Sequence, residues 1–436
     1  MIETVRTWTL LRQLRSSVNL SPTRLRLLQD TLLQTAVIHA YENVPFYRRF
    51  WDAQGFDARS VQGIQDLARI PIINSRIVRE ATERGEFVAR NGEAASHNFL
   101  YTTGSSGFPL AVCRRAEEVR LWQAGGLRTY FEHGFRWHHK KVQFATQPGV
   151  SHFLQRMGIS RTTWISPELP TEEQRKIFLE TKADWVIATP TVLRRLIKAL
   201  MATGGRFKQP RAVICQGELL DAETRKTIEC VFGSTPVDLY TLTEVGYVAW
   251  QCERREGLHV NADTHLVEIV RDGGAARPNQ LGKVVVTDLR NRTMPFLRYD
   301  TGDLAIAATG PCPCGRPLPR LASIEGRLRT SILLNDGQIL TTRAIVDHLA
   351  GVLRLNEYRL HQEITGRFRL ELSRAATLAD ETHGHEQTEA RSRDVILRHL
   401  RKLLGDVEIS IETVGPFPEC GEKTHPIVAN IPLSIS

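Results

Sequence analysis

The sequence predicts an α/β protein. A large, multi-subdomain N-terminal domain has parallel-rich sheet and a small β subdomain, and a small α+β domain follows it. Three observations carry this. Between about 140 and 240, short β-rich runs alternate with helical stretches, as in open parallel sheets. After Tyr240 the helices give way to strands separated by turn residues. Near Gly326-Arg327 the pattern changes again, to mixed strands and helices. The boundary is placed there, giving domains 1–326 and 327–436.

Taken in order, the first ~95 residues read mostly helical. Leu25, Leu28, Leu32 and Ala36 give one apolar face. Val44-Pro45 ends that helix, because proline disfavours helix for the residue before it. Strands follow at Lys141 to Ala145, Trp185 to Ala188, Ala212 to Cys215 and Val237 to Tyr240. Helices at Glu172 to Thr181, Thr191 to Met201 and Ala222 to Phe232 alternate with them. The β subdomain holds Leu266 to Val270, Lys283 to Thr287 and Leu304 to Ala307. In the last domain, Ile332 to Leu334, Tyr358 to His361, Phe368 to Leu372 and Glu408 to Val414 read as strands. Arg343 to Leu353 and Arg391 to Leu404 read as helices, and the polar stretch Ala375 to Ala390 as an exposed loop.

Composition excludes several classes. With 42% hydrophobic and 24% charged residues and only 20 prolines in 436, the chain is neither disordered nor collagen-like. No run approaches the about 20 apolar residues of a membrane span. The N-terminus carries an early Glu3 and no small-residue cleavage site, so no secretory signal is expected. The odd count of seven cysteines points to reduced thiols in a cytoplasmic setting. Net charge is +9, but the arginines are spread along the chain. The densest stretch, Arg6 to Arg26, has a helix-like spacing and reads as a solvated helix face, with no nucleic-acid-binding signature beside it.

Several short stretches carry chemistry. Tyr101 to Pro109 reads YTTGSSGFP, where hydroxyls and free backbone N–H groups can wrap phosphate oxygens. It lacks the Gly-Lys-Ser/Thr of a Walker loop, and alone it reads equally as a surface linker. Gln216-Gly217-Glu218 and Tyr240-Thr241-Leu242-Thr243-Glu244-Val245-Gly246 each follow a strand end, where open α/β sheets bind ligands. A tyrosine there can stack on a planar base, and a carboxylate can hold Mg²⁺; Glu244 alone would be surface decoration. In Arg298 to Leu304, Asp303 can accept hydrogen bonds from ribose hydroxyls, the alternative being an ordinary turn. Arg327 can pair with phosphate or make an interdomain salt bridge. Lys423, in Gly421-Glu422-Lys423, is by itself a solvated charge.

Together and in this order, these stretches resemble the adenylate-forming superfamily of acyl-CoA ligases. YTTGSSGFP, LYTLTEVG, RYDTGDL, CPCGRPLPRLASIEGR and GEKTHPIV place the resemblance in its phenylacetate–CoA ligase branch, from about Tyr41 to the C-terminus. The resemblance implies ATP, Mg²⁺ and coenzyme A, a small-molecule carboxylic acid substrate, and an acyl-adenylate intermediate. It gives Lys423, Glu244 and Arg327 catalytic roles. It gives Thr102, Thr103, Gly104, Ser105, Ser106 and Gly107 to the phosphates, and Gly217, Glu218, Leu219, Tyr240, Thr241, Thr243 and Asp303 to the rest of the nucleotide. It implies that the C-terminal domain is mobile, delivering Lys423 for adenylation and then withdrawing, with Arg329 at the hinge. A homodimer is implied as well, and an acyl carrier protein thiol or an amine stands as the alternative acceptor, or an adenylyltransferase that uses no coenzyme A. Nucleic-acid and membrane partners are not expected.

Two departures from the family pattern matter. Phe108 stands where the phosphate loop usually carries lysine. The run after the strand at 141–145 is polar where phenylacetate enzymes have aromatics. Its residues, with their neighbours, give a substrate pocket of Phe144, Thr146, Gln147, Ser151, His152 and Gln216. A polar wall favours an acid that pairs with it, so a substituted aryl acid bearing amino or hydroxyl groups is expected.

Cys252 and His259, with Cys312 and Cys314, offer the three thiolates and one imidazole of a structural zinc site. Cys-x-Cys is not the commonest zinc spacing, so four unligated residues remain the alternative. Cys113, Cys215, Cys230 and Cys420 are expected to be free thiols.

Overall fold

The computed structural model describes residues 2–91, 97–101, 110–146, 160–204, 206–350, 352–353, 358–373, 385–415, 417, 426–431 and 433. The N-terminal third is helical. Helices Ile2–Ser17, Pro22–Asn43, Pro45–Asp52 and Ser75–Glu83 lead into the sheet. Val44 is extended at the end of one helix, and Pro45 begins the next at its first position, where its missing N–H costs nothing. Arg12, Arg24 and Arg26 are exposed, while Leu11 and Leu14 pack against the helix Ala116–Glu132.

One 13-stranded sheet organises the first 327 residues. Its parallel half contains Lys141–Phe144, Thr162–Ile165, Trp185–Ala188, Ala212–Gln216 and Val237–Leu242. The strand Gly246–Trp250 turns back antiparallel on Val237–Leu242. From there Leu258–Val260, Arg320–Arg327, Tyr299–Ala307, Leu281–Asp288 and His265–Arg271 continue the same sheet, all antiparallel. The expected small β subdomain is therefore hydrogen-bonded edge to edge with the parallel half. Two apolar cores flank the parallel strands. Trp185, Ile187 and Ile214 face the helix Ala116–Glu132 and the N-terminal helices, and Val186, Ala188, Val213 and Cys215 face helices Pro190–Thr203 and Ala222–Phe232.

Past Arg327 the chain forms a separate four-stranded sheet. Its core of Leu360, Leu370, Ile396 and Leu400 is distinct from the other two. The polar stretch read as a loop is partly helix, because the helix His385–Leu404 begins well before Arg391. Glu, Gln, Ala and Arg in its first turns favour helix without supplying the apolar spacing by which helices are read. Across the junction, Arg343 donates to the Leu220 carbonyl at 3.3 Å, and Asp347 accepts from the Ala222 N–H at 3.0 Å. Among the described residues, no helix is long and apolar enough to cross a membrane.

One feature of the parallel half is costly. Lys141 is 6% exposed and sits over the Tyr130 and Phe135 rings at 5.5 and 5.1 Å. Burial pulls its pKa from the usual 10.5 down to about 8. Below that value the native state holds a charge that water would solvate better. Between the two values the unfolded chain binds more protons, so this group makes stability rise with pH there. Lys141→Met removes the burden and should stabilise the protein at pH 7 by up to about 3 kcal/mol, the equivalent of the shift. Thermal melts of both proteins at pH 7 and pH 10 check this, and the gap should shrink at the higher pH.

Candidate functional site

The chain crosses the sheet so that three distant segments meet at the carboxyl end of Val237–Leu242. Strand Tyr299–Ala307 pairs with Arg320–Arg327 so that Asp303 lies directly opposite Arg327. One carboxylate oxygen of Asp303 is 3.3 Å from the Arg327 Nε, and the other accepts from the Tyr240 hydroxyl at 2.7 Å. Asp303 is 6% exposed, while the Arg327 side chain is 38% exposed. Burial, followed by the neighbouring Asp303 charge, raises the Tyr240 pKa well above its usual value, so its hydroxyl stays a donor. Gly302 turns the chain just before Asp303 with φ +74°, and its N–H donates to Asp300.

Glu244 sits in the turn between Val237–Leu242 and Gly246–Trp250. The Tyr299 hydroxyl donates to its Oε1 at 3.0 Å. Burial first, and then Glu244, pushes the Tyr299 pKa up, which keeps that proton in place. Thr241 and Thr243 flank Glu244 and are half-buried. Gly246 closes the turn with φ +91°, and its α-carbon faces the Trp122 indole so closely that a Cβ would lie 2.5 Å from it.

At the neighbouring strand end, Gly217 has φ +77°. Glu218 accepts the Thr191 N–H at 3.0 Å and so caps the helix Pro190–Thr203. Leu219 is half-buried. Gln216 is half-buried too, yet its Oε1 is buried with no hydrogen-bond partner among the described residues. By strand alternation Gln216 shares the face of Ile214, toward the helix Ala116–Glu132. Phe144, read as a pocket residue, points the other way. It is 5% exposed and packs with Val142, Ile165 and Phe178, and the preceding Gln143 takes the opposite face. Thr146 is exposed.

The remaining expected site residues lie outside the described residues. They are Thr102, Thr103, Gly104, Ser105, Ser106 and Gly107, the pocket residues Gln147, Ser151 and His152, and the lysine, Lys423. Sequence reasoning missed three side chains that support the site. Tyr299 lay inside a quoted motif without a role. Trp122 carries no signal, because only the fold brings it under Gly246. Arg114 also lay unmarked: it is 3% exposed and donates to the carbonyls of Thr243 and Glu244 at 3.3 and 2.8 Å.

A second cluster lies toward the far end of the Gly246–Trp250 strand, about 13 Å along it from Gly246 at strand rise. His259 pairs with Trp250 across the ladder. Cys252 Sγ is 3.7 Å from Cys312 Sγ, and Cys314 Sγ is 3.3 Å from His259 Nε2. The four donor atoms all lie within 4.8 Å of one another. A tetrahedral ion with metal–sulfur bonds of about 2.3 Å needs sulfurs about 3.7 Å apart, the spacing of the Cys252–Cys312 pair. Cys113, Cys215 and Cys230 are free thiols.

No protein-family model matches the chain. In sequence it is 26% identical to a phenylacetate–coenzyme A ligase of Thermus thermophilus, covering 90% of this chain and 93% of that one. It is 25% identical to the Pseudomonas putida enzyme of the same name, over 76% of each chain. In structure it matches a 2-hydroxyisobutyryl-CoA ligase bound to its acyl-AMP, with TM-score 0.76, 18% identity and coverage of 91% and 87%. It also matches an anthranilate CoA ligase bound to anthranoyl-AMP, with TM-score 0.55, 12% identity and coverage of 77% and 67%. The fold is that of adenylate-forming CoA ligases, as the motifs implied.

The Gly246 turn gives a direct test of this geometry. Gly246→Ala places a Cβ against the Trp122 indole and strains a left-handed backbone. It should destabilise the protein by about 1–3 kcal/mol and change the Trp122 environment. Denaturant unfolding with near-ultraviolet circular dichroism checks both.

Proposed function

We propose that this chain, an adenylate-forming fold similar in sequence to phenylacetate–CoA ligases, is an ATP-dependent ligase that activates a carboxylic acid and joins it to coenzyme A. A carboxylate oxygen attacks the α-phosphorus of ATP, the α–β phosphoanhydride bond breaks, and pyrophosphate leaves. The coenzyme A thiolate then attacks the acyl carbonyl carbon and expels AMP. The observation that supports this reading is the Tyr240–Asp303–Arg327 cluster, which brings a phenol, a carboxylate and a guanidinium from three segments to one strand end.

Each residue has a physical task. Asp303 is fixed by Tyr240 and has an exposed, exchangeable partner in Arg327, so ribose hydroxyls can take over part of its hydrogen bonding while Arg327 turns to phosphate. The Tyr240 ring and Gly217 to Leu219 frame adenine. The hydroxyls and backbone of Thr102 to Gly107 hold the β- and γ-phosphates. A carboxylate approaching a polyanion is repelled, and the Lys423 ammonium offsets that charge as it develops. Glu244 is the oxygen donor suited to Mg²⁺, since only its Oε1 is engaged, by Tyr299, among the described residues. Mg²⁺ there would neutralise phosphate charge.

The C-terminal domain, 327–436, carries Lys423 in and withdraws it for thioester formation. Its own sheet and core suit it to move as a body. The acid is a substituted aryl acid bearing amino or hydroxyl groups. Cys252, His259, Cys312 and Cys314 would hold Zn²⁺, which would staple the antiparallel half of the sheet and take no part in the chemistry.

Pyrophosphate release across a panel of aryl and aliphatic acids, with and without coenzyme A, tests the function. An acid turned over rapidly only with coenzyme A is the expected result. Release indifferent to coenzyme A points to a carrier-protein thiol or an amine as acceptor, and no release with any acid refutes the reading. Lys423→Ala should slow adenylation at least about a hundredfold while leaving thioester formation from supplied acyl-adenylate within about threefold. Equal losses would remove Lys423 from its role.

Zinc is tested separately. Metal analysis of undenatured protein should find about one zinc per chain, and chelation should lower the melting temperature. Less than about 0.2 equivalents would leave four unligated residues.

A further inference from the structure

We infer that Arg114 is a positioning residue for the metal-binding carboxylate, tying the strand that follows the phosphate loop to the turn that carries Glu244. The inference rests on the reading of Glu244 as the Mg²⁺ donor.

The geometry is specific. Arg114 Nη2 donates to the Thr243 carbonyl at 3.3 Å and to the Glu244 carbonyl at 2.8 Å. These carbonyls belong to the peptide groups on either side of the Glu244 α-carbon. Peptide groups are planar, so pinning both fixes the direction in which the Glu244 side chain leaves the backbone. Tyr299 then holds the carboxylate end at 3.0 Å. Glu244 is thus located from its backbone and from its tip.

Arg114 is itself firmly anchored. It lies on the strand Ala111–Arg115, which begins two residues after the Tyr101 to Pro109 stretch. The next residue, Arg115, donates its N–H to Glu118 at 2.8 Å. The other oxygen of Glu118 accepts the N–H groups of Arg292 and Thr293 at 2.7 and 2.8 Å. One guanidinium thus links this strand to the Glu244 turn. A plain filler would not need a charge here. Arg114 is 3% exposed, its Nε has no hydrogen-bond partner among the described residues, and its described hydrogen bonds run to the two carbonyls rather than to a carboxylate. A buried guanidinium so placed also lends positive potential to a site that must hold a polyanion.

Arg114→Gln and Arg114→Lys test the inference, with folding verified by melting temperature and circular dichroism. Arg114→Gln should raise the Mg²⁺ concentration for half-maximal pyrophosphate release at least about fivefold and slow adenylation about tenfold or more, the scale of a lost charged hydrogen bond. Thioester formation from supplied acyl-adenylate should change less than about twofold, and Arg114→Lys should recover part of the Mg²⁺ response by keeping the charge. Equal losses in both half-reactions, or an unchanged Mg²⁺ requirement, would overturn the positioning role. Calorimetry of ATP binding with and without Mg²⁺ separates this from failure of the functional reading. Mg²⁺ enhancement present in the unsubstituted protein and lost in Arg114→Gln supports the inference. Enhancement equal in both overturns it alone. Enhancement absent from the unsubstituted protein overturns the reading of Glu244, and the inference with it.

Discussion

The Asp303 carboxylate is the point on which the site depends. It is a nearly buried charge, and burying one without partners would cost several kcal/mol. Its partners come from strands far apart in sequence: the Tyr240 hydroxyl from the last parallel strand and the Arg327 guanidinium from the strand opposite. The two halves of the sheet must therefore join in one register for the charge to be accommodated. Arg327 ends the last strand of the large sheet, and the separate four-stranded sheet is built from the chain that follows it. The buried charge and the passage from one sheet to the other thus meet at Arg327.

The continuous sheet gives the hairpin Val237–Leu242 and Gly246–Trp250 two different ends. At one end the turn carries Glu244, pinned by Tyr299 and Arg114. Toward the other, Trp250 pairs with His259, which approaches Cys314 in the thiol–imidazole cluster. The Glu244 turn and the thiol–imidazole cluster thus lie toward opposite ends of one strand pair. A metal at the second cluster would stiffen the hairpin without touching the reacting atoms.

Much of the architecture was legible because its periods are local. Trp185–Ala188 and Ala222–Phe232 are bounded as their apolar patterns and turn residues dictate. What failed to show was whatever depends on register. The β region reads as a separate unit because its strands follow one another through turns, yet pairing of Leu258–Val260 with Gly246–Trp250 merges it with the parallel half. Phe144 reads as a pocket residue from its place at a strand end, but side-chain alternation turns it into the core. Motifs marked Tyr240, Asp303 and Arg327, which the fold brings together, and Glu244 in the turn that Tyr299 holds, because each stands among distinctive neighbours in sequence. Arg114 and Trp122 left no such mark: they act on the site from an adjoining strand and helix, through a backbone carbonyl and a close glycine contact.

The central claim is that the substrate carboxylate attacks the α-phosphorus of ATP. The most direct measurement supplies the acid with ¹⁸O in both carboxylate oxygens, together with ATP, Mg²⁺ and coenzyme A, and locates the label by mass spectrometry. The account predicts one ¹⁸O in the AMP phosphate and none in pyrophosphate, because the bridging oxygen stays with phosphorus when the thiolate takes the acyl group. Label in orthophosphate with ADP formed, or no label in any phosphorus product, would contradict it.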